Sequence, residues 1–209
     1  MEQSAGYLTT SRILKIEKSL LNTEKSSGID YELLKGCIRQ KSKAQEKLYK
    51  SFYGYAMSIA LSYTNNSDEA ADILNESFFK VFKNIKKYDT KSLFKSWLRR
   101  IVVNTAIDHY RSNKKFQQNI ELASAVTQEY DSSVINQLNA EDILKQLQEL
   151  PEHYRVTFML YEIEGYSHEE IGQQLSISES TSRSNLTRAK KKLRELVTNC
   201  FTDKYNAGV

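Results

Sequence analysis

The sequence predicts an all-α protein: two small helical domains joined by a flexible linker, the second of them a helix-turn-helix domain. Three observations carry this. Pro occurs once and Gly seven times in 209 residues, too few for the turns of an all-β architecture, while Leu, Ile, Lys, Glu and Ala recur at three- to four-residue spacing. Helical periodicity fills residues 30–112 and 139–201 and fails at 113–138, where Ser, Asn, Gln, Lys, Thr and Asp dominate. Residues 166–196 state a short helix, a tight turn and a basic helix, the order of a helix-turn-helix. Length agrees, since such a chain is long for one small helical domain and comfortable for two.

In order, residues 1–29 mix Ser, Thr, Lys and Glu around a short apolar segment at 13–21 and are expected as a mobile extension. Asp30 is placed to cap a helix carrying Leu33, Leu34, Cys37 and Ile38. A second helix runs from about Lys43 through Leu48, Phe52, Tyr55, Ile59 and Tyr63 to a break at Asn65-Asn66-Ser67. Ser67 is the expected cap of a third, in which Ala70, Ile73, Leu74, Ser77, Phe78, Val81, Phe82 and Ile85 form one apolar stripe. Asp68, Asp72 and Glu76 line its opposite side.

A fourth helix begins near Lys91 or Ser92, and Phe94, Trp97, Leu98, Ile101, Val102, Ala106 and Ile107 give it an almost all-round apolar character. Arg99, Arg100, Asn104, Asp108, His109 and Arg111 within it must therefore pair internally or break the surface at a groove.

In the second domain a helix from Asn139 carries Ile143, Leu144 and Leu147 to Leu150, and Pro151 opens the next at its first turn. Val156, Phe158, Met159, Leu160 and Ile163 continue that helix to Gly165. Ser167 and Glu170 then form a capping box for a brief helix with Ile171 and Leu175 on one face. Ile177 packs under the turn at 176–178, and Ser178 caps a long helix. There Leu186, Ala189, Leu193 and Leu196 mark the core side, with Arg183, Arg188, Lys190, Lys191, Lys192 and Arg194 on the others. Residues 202–209 are a tail.

The formal net charge is only +4, but residues 80–115 hold eleven Lys or Arg against Asp89 and Asp108, and residues 141–170 hold eight Asp or Glu against Lys145 and Arg155. Such segregation suggests one surface for a polyanion and another for a different partner. Cys37 and Cys200 lie far apart, and His109, His153 and His168 form no pair at metal-ligand spacing, so neither a disulfide nor a metal is expected. No apolar run approaches the roughly 18 residues of a membrane span and no signal peptide opens the chain, so a cytoplasmic protein without membrane insertion is expected. A nuclease or recombinase would need clustered carboxylates or a nucleophile near the basic helices, where Asp108 stands alone.

Two stretches, roughly 40–112 and 139–197, resemble the extracytoplasmic-function sigma factors of bacteria. Asp72-Ile73-Leu74-Asn75-Glu76-Ser77-Phe78, Phe94-Lys95-Ser96-Trp97-Leu98 and Asn104-Thr105-Ala106-Ile107-Asp108 are similar to the family's second region. Leu150-Pro151, Gly165-Tyr166-Ser167, Glu170-Ile171-Gly172 and Ser184-Asn185-Leu186-Thr187-Arg188-Ala189-Lys190-Lys191-Lys192-Leu193 are similar to its fourth. The resemblance implies a protein with no catalytic chemistry, cofactor or small-molecule substrate. It would bind core RNA polymerase, direct promoter recognition, melting and initiation, and have an anti-sigma factor as a further partner.

By the same resemblance Asp68, Asp72 and Glu76 dock on the polymerase's basic coiled coil, and Asn104 lies at a pocket for an unstacked base of the minus-ten element. Arg99, Arg100, Arg111, Lys114 and Lys115 are backbone clamps beside it. Thr181, Arg183, Ser184, Arg188, Lys190 and Lys191 make contacts around the minus-thirty-five element, the later ones mainly to phosphate. The chain departs from the family at Ala71, Asn75, Gly172, Ser182 and Asn185, where Glu, Gln, Ala, an aliphatic residue and Arg are usual. An Asn in place of Arg would favour adenine over guanine. The competing reading is a one-component helix-turn-helix regulator, with a ligand pocket in its first half and a dimeric operator complex.

Overall fold

A computed structural model describes residues 29–89, 92–120 and 140–206. Residues 1–28 of the expected extension, 121–138 of the expected linker and the last three residues lie outside the described residues. Among the described residues every regular element is helical, and no helix is long and apolar enough to cross a membrane. They fall into two compact units that part between Asp108 and His109.

In the first unit, α1 (Tyr31–Ile38) starts where its carboxylate cap predicts, with the Glu32 N–H donating to Asp30 at 3.0 Å. Gln40 turns the chain in the left-handed region at φ 56°, and α2 (Ser42–Tyr63) folds back on α1. The two meet at Gly36, where a Cβ would stand 2.7 Å from that of Ala44. Only glycine allows this approach. The cap of α3 (Ser67–Asn84) is Asn66 and not the expected Ser67, its side chain accepting the Glu69 N–H at 2.8 Å. Ser67 is already helical, which leaves the residue before it with the extended backbone a cap requires. The α3 stripe is buried as its spacing predicts, except that Phe82 is half-buried.

After a 3-10 turn at Ile85–Lys87, α4 runs Phe94–Ile120. It opens later than expected because Ser92 closes a turn, its N–H donating to the Asp89 carbonyl at 3.0 Å. It also continues eight residues past the point where apolar spacing stops. Residues 113–120 contain neither Gly nor Pro, so losing the period removes the sign of burial without removing helix propensity. Fully buried Phe94 anchors this unit's aromatic core, with ring centroids 4.8 Å from Phe52, 5.4 Å from Tyr88 and 5.6 Å from Trp97.

The second unit holds the part of α4 from His109 onward, α5 (Ala140–Gln148), α6 (Glu152–Phe158), a π-helical turn (Met159–Ile163), α7 (His168–Leu175) and α8 (Glu179–Asn206). Pro151 caps α6 from outside, at ψ 138°, where the sequence suggested its first turn. Proline fixes φ alone, and here ψ keeps it extended. Arg155 is fully buried, donating to the Gln148 and Leu150 carbonyls at 3.1 and 3.2 Å. These are orphan acceptors at the end of α5, and a buried cation satisfies them. Leu147, Leu150, Val156, Phe158, Leu160, Ile171, Leu175, Leu186, Ala189 and Leu193 close the core.

Candidate functional site

On α3, Asp68, Asp72 and Glu76 lie one turn apart and are all exposed. Glu76 accepts from Lys80 at 2.9 Å, and Lys80 also reaches Asp108 of α4 at 3.2 Å. Burial alone would lower the Lys80 pKa; the hydrogen bonds and charges of Glu76 and Asp108 outweigh it and raise the value. Glu76 thus shares its charge with a neighbour. Phe79, which sequence spacing did not single out, is 66% exposed three residues from Glu76. Its signal was legible as an apolar residue out of phase with the stripe at 70, 73, 74, 77, 78 and 81. Asn75 is held from α2, where the Tyr49 hydroxyl donates to Oδ1 at 3.2 Å.

Along α4 the polar residues do break the surface. Ser96, Arg100, Asn104 and Asp108 are exposed at four-residue intervals, while Leu98, Val102, Val103, Thr105, Ala106 and Ile107 are buried. The result is one polar ridge with Asn104 at its middle. Arg99 is half-buried beside it, and Arg111 and Lys114 are half-buried further along α4. The Lys115 side chain lies outside the described residues.

The helix-turn-helix forms from the local signals the sequence contains. The Ser167 hydroxyl accepts the Glu170 N–H at 3.2 Å, and the Glu170 carboxylate accepts the Ser167 N–H at 2.7 Å, completing the capping box. These bonds hold the Glu170 carboxyl below its ordinary pKa. Ser176 turns left-handed at φ 53°, and the Ile177 N–H donates to the Gly172 carbonyl at 3.0 Å. A Cβ at Gly172 would come 2.9 Å from the Ile177 carbonyl oxygen, a closer approach than side chains ordinarily allow, which accounts for glycine at this position. The Ser178 hydroxyl accepts the Thr181 N–H at 3.0 Å, capping α8 as expected.

On α8, Thr181, Arg183, Ser184, Arg188 and Lys191 are exposed together, and so is Thr187, which the sequence reading passed over. Arg183 pairs with Glu179 one turn back. Asn185 differs from expectation: it is 7% exposed and belongs to the buried row Ser182, Asn185, Leu186, Ala189, Leu193 and Val197. It therefore faces the core and not a base edge. Lys190 also differs, because its ammonium bonds Glu162 at 2.6 Å and lies 5.9 Å from the centre of the Tyr161 ring. His168, unassigned from sequence, is buried, stacks on Tyr161 at 4.4 Å and shares a 3.0 Å hydrogen bond through Nδ1 with the fully buried Ser182 hydroxyl. Desolvation, followed by the charge of Arg183, lowers the His168 pKa.

Residues 48–116 match the family described as Sigma-70 region 2, and residues 140–193 match Sigma-70, region 4. The chain is 31% identical over 140 residues to the RNA polymerase sigma factor SigV of Bacillus subtilis, covering 65% of this chain and 80% of that one. It is 29% identical over 166 residues to the ECF RNA polymerase sigma factor SigM of the same organism, covering 78% and 96%. With the ECF RNA polymerase sigma factor SigE of Mycolicibacterium smegmatis it shares 29% identity over 147 residues, 66% of this chain and 55% of that longer relative.

Proposed function

We infer the function from one premise: the chain belongs to the extracytoplasmic-function family of RNA polymerase sigma factors. It is an RNA polymerase sigma factor, a transcription initiation factor that binds core polymerase and promoter DNA. One observation carries this reading, the presence on a single chain, in order, of regions 2 and 4. The one-component regulator loses its ground, since its helix-turn-helix would not be preceded by a region 2. No catalytic step is assigned to the chain, its place of action is the cytoplasm, and an anti-sigma factor is a further partner.

The division of labour among residues is proposed from exposure and chemistry. Asp68, Asp72 and Glu76 present a line of carboxylates to a basic surface of the polymerase, and Phe79 supplies apolar area at its edge, where an aromatic side chain contributes most to an interface. Asn104 presents a free-standing amide on a polar ridge, flanked by Arg100, to an unstacked base of the minus-ten element, an extrusion that costs a few kcal/mol. Arg99, Arg111, Lys114 and Lys115 serve the backbone beside it. Thr181, Arg183 and Ser184 read base edges upstream, and Arg188 and Lys191 hold phosphates.

Run-off transcription by core polymerase with and without the full-length chain tests the proposal. Initiation must depend on the added chain. The Asp72→Lys, Glu76→Lys double variant should lose polymerase affinity by about tenfold or more at physiological salt, since reversing two docking charges replaces attraction with repulsion. Titration of labelled protein with core polymerase measures it, and an unchanged affinity removes the acidic face from the mechanism.

A further inference from the structure

Two contacts outside the proposed DNA-reading surface tie α8 to the elements beneath it, at residues 182 and 190. At the first, Ser182 is fully buried and its hydroxyl is hydrogen-bonded at 3.0 Å to Nδ1 of His168, the first residue of α7. At the second, the Lys190 ammonium meets the Glu162 carboxylate at 2.6 Å, and the Glu162 side chain is only 12% exposed. Tyr161 joins the two, stacking on His168 at 4.4 Å while Lys190 sits 5.9 Å from its ring centre.

The acidic partner of the second tie, and the ring stacked on the histidine of the first, originate in the π-helical turn Met159–Ile163, where the Glu164 N–H donates to the Met159 carbonyl at 3.1 Å, one residue further back than in an α-helix. One extra residue rotates the side chains around it by about 100° relative to an uninterrupted helix. In this turn Tyr161 meets α7 and Glu162 meets α8. A helix register that would otherwise be regular is thus broken at the place that supplies Glu162 and the ring under His168.

Aliphatic packing alone fixes α8 poorly in rotation, because Leu186, Ala189, Leu193 and Val197 form a smooth stripe of non-directional contacts. Hydrogen bonds and ion pairs are directional. Base readout needs side chains held to within about 0.5 Å and 10–20°, and Thr181 and Arg183 are the immediate neighbours of Ser182. We propose that Glu162 and His168 are positioning residues for promoter recognition: through Lys190 and Ser182 they fix the rotation of α8 at which Thr181, Arg183 and Ser184 meet the bases. Lys190 serves this tie and not a DNA phosphate. The proposal rests on the sigma-factor reading of the second unit.

The test uses holoenzyme assembled from core polymerase and full-length variants, binding promoters randomised in the upstream element across several salt concentrations. Glu162→Gln and Lys190→Met each break the second tie. His168→Phe keeps a ring on Tyr161 and deletes the Nδ1 bond, and Ser182→Ala deletes its partner. Each single change should flatten base preference by roughly three- to tenfold, the net worth of a buried hydrogen bond. Each double variant should be no worse than its singles, and the slope of log K against log salt should stay unchanged, as no phosphate contact is lost. Val197→Ala, a purely apolar loss on the same helix, should weaken all sequences alike.

Three results overturn the proposal alone: wild-type preference that survives in Glu162→Gln and His168→Phe; additive losses in the doubles; or tighter binding of all sequences with a steeper salt slope on Glu162→Gln, which would make Lys190 a phosphate contact. A wild-type holoenzyme without any upstream preference overturns the reading of the second unit, and the positioning role with it.

Discussion

Two asparagines stand in the two long helices α4 and α8, Asn104 among mainly apolar neighbours in sequence and Asn185 among mainly polar ones, and the fold treats them oppositely. Asn104 lies exposed on a ridge; Asn185 is 7% exposed in the core row of α8. The difference comes from the residues one turn away. Asn104 has Arg100 and Asp108 at four residues on either side, so the wide apolar arc of α4 passes behind it. Asn185 has Ser182, Leu186 and Ala189 at three before, one after and four after, so it completes a buried stripe. An amide inside a helix takes the environment of the row it lies in, the exposed Ser96, Arg100 and Asp108 for Asn104 and the buried Ser182 and Ala189 for Asn185, whatever its immediate neighbours are.

One substitution applied at both positions gives the largest contrast. Asn→Asp keeps the shape and adds a charge. Asn185→Asp should cost about 3 kcal/mol at neutral pH, because a carboxylate in the α8 packing row has no partner prepared for it. Asn104→Asp should stay within about 0.5 kcal/mol, as an exposed change does. Urea unfolding of the full chain, with the two units followed separately, measures both. Equal losses would mean that Asn185 reaches solvent, and would return it to the set of base-reading candidates.

The same comparison holds within α8. Arg183→Ala should relax preference at one or two base pairs of the upstream element, costing about 1–3 kcal/mol on the preferred site and little on others. Asn185→Ala should shift preference at none. Lys191→Ala should weaken every sequence alike and lower the salt slope of log K by about one. Uniform loss with Arg183→Ala would displace the reading surface from the first turns of the helix.

Much of this is legible in the sequence. The all-α class, the stripe of α3, the caps at Asp30 and Ser178 and the capping box at Ser167 and Glu170 follow from local chemistry, and local chemistry is written in consecutive residues. What is not legible depends on contacts between side chains or carbonyls of different elements. The burial of Arg155 under the end of α5, the Glu162–Lys190 pair and the His168–Ser182 bond each join residues whose types, read alone, describe an ordinary surface. The π-helical turn left no apolar signature either, because Met159, Leu160 and Ile163 are compatible with an α-helix. Asn185 was misplaced for a different reason: its row begins at Ser182, a polar residue that the apolar spacing rule does not count.

For Asn104, function and stability should separate. Asn104→Ala should leave thermal stability within about 0.5 kcal/mol and slow promoter opening several-fold, on the order of 1 kcal/mol for one lost hydrogen bond. Permanganate reactivity of the melted thymines, followed over time, reports the opening rate. A fall in melting temperature with normal opening would make the amide structural and erase its contrast with Asn185.

The smallest effect separates the two units by pH. All three histidines lie at residue 109 or beyond, and in the second unit both His168 and His153 have pKa values lowered from 6.5, each first by desolvation. A lowered value means that the unfolded chain binds a proton the folded unit refuses. The stability that follows is fully present above about pH 6.5 and is lost as the pH falls below it. Between pH 7.5 and 5.5 the unfolding midpoint of the second unit should therefore drop, while that of the first, which holds no histidine, stays nearly constant. His168→Phe should flatten part of the drop and leave the part due to His153. A proton taken up by the folded ring would place a cation beside Arg183 and Lys190 and disturb the bond to Ser182, so upstream base preference should weaken only at pH values below those at which stability begins to fall. Parallel drops in both units, or a drop unchanged by His168→Phe, would show that the buried ring does not govern the pH response of this helix-turn-helix.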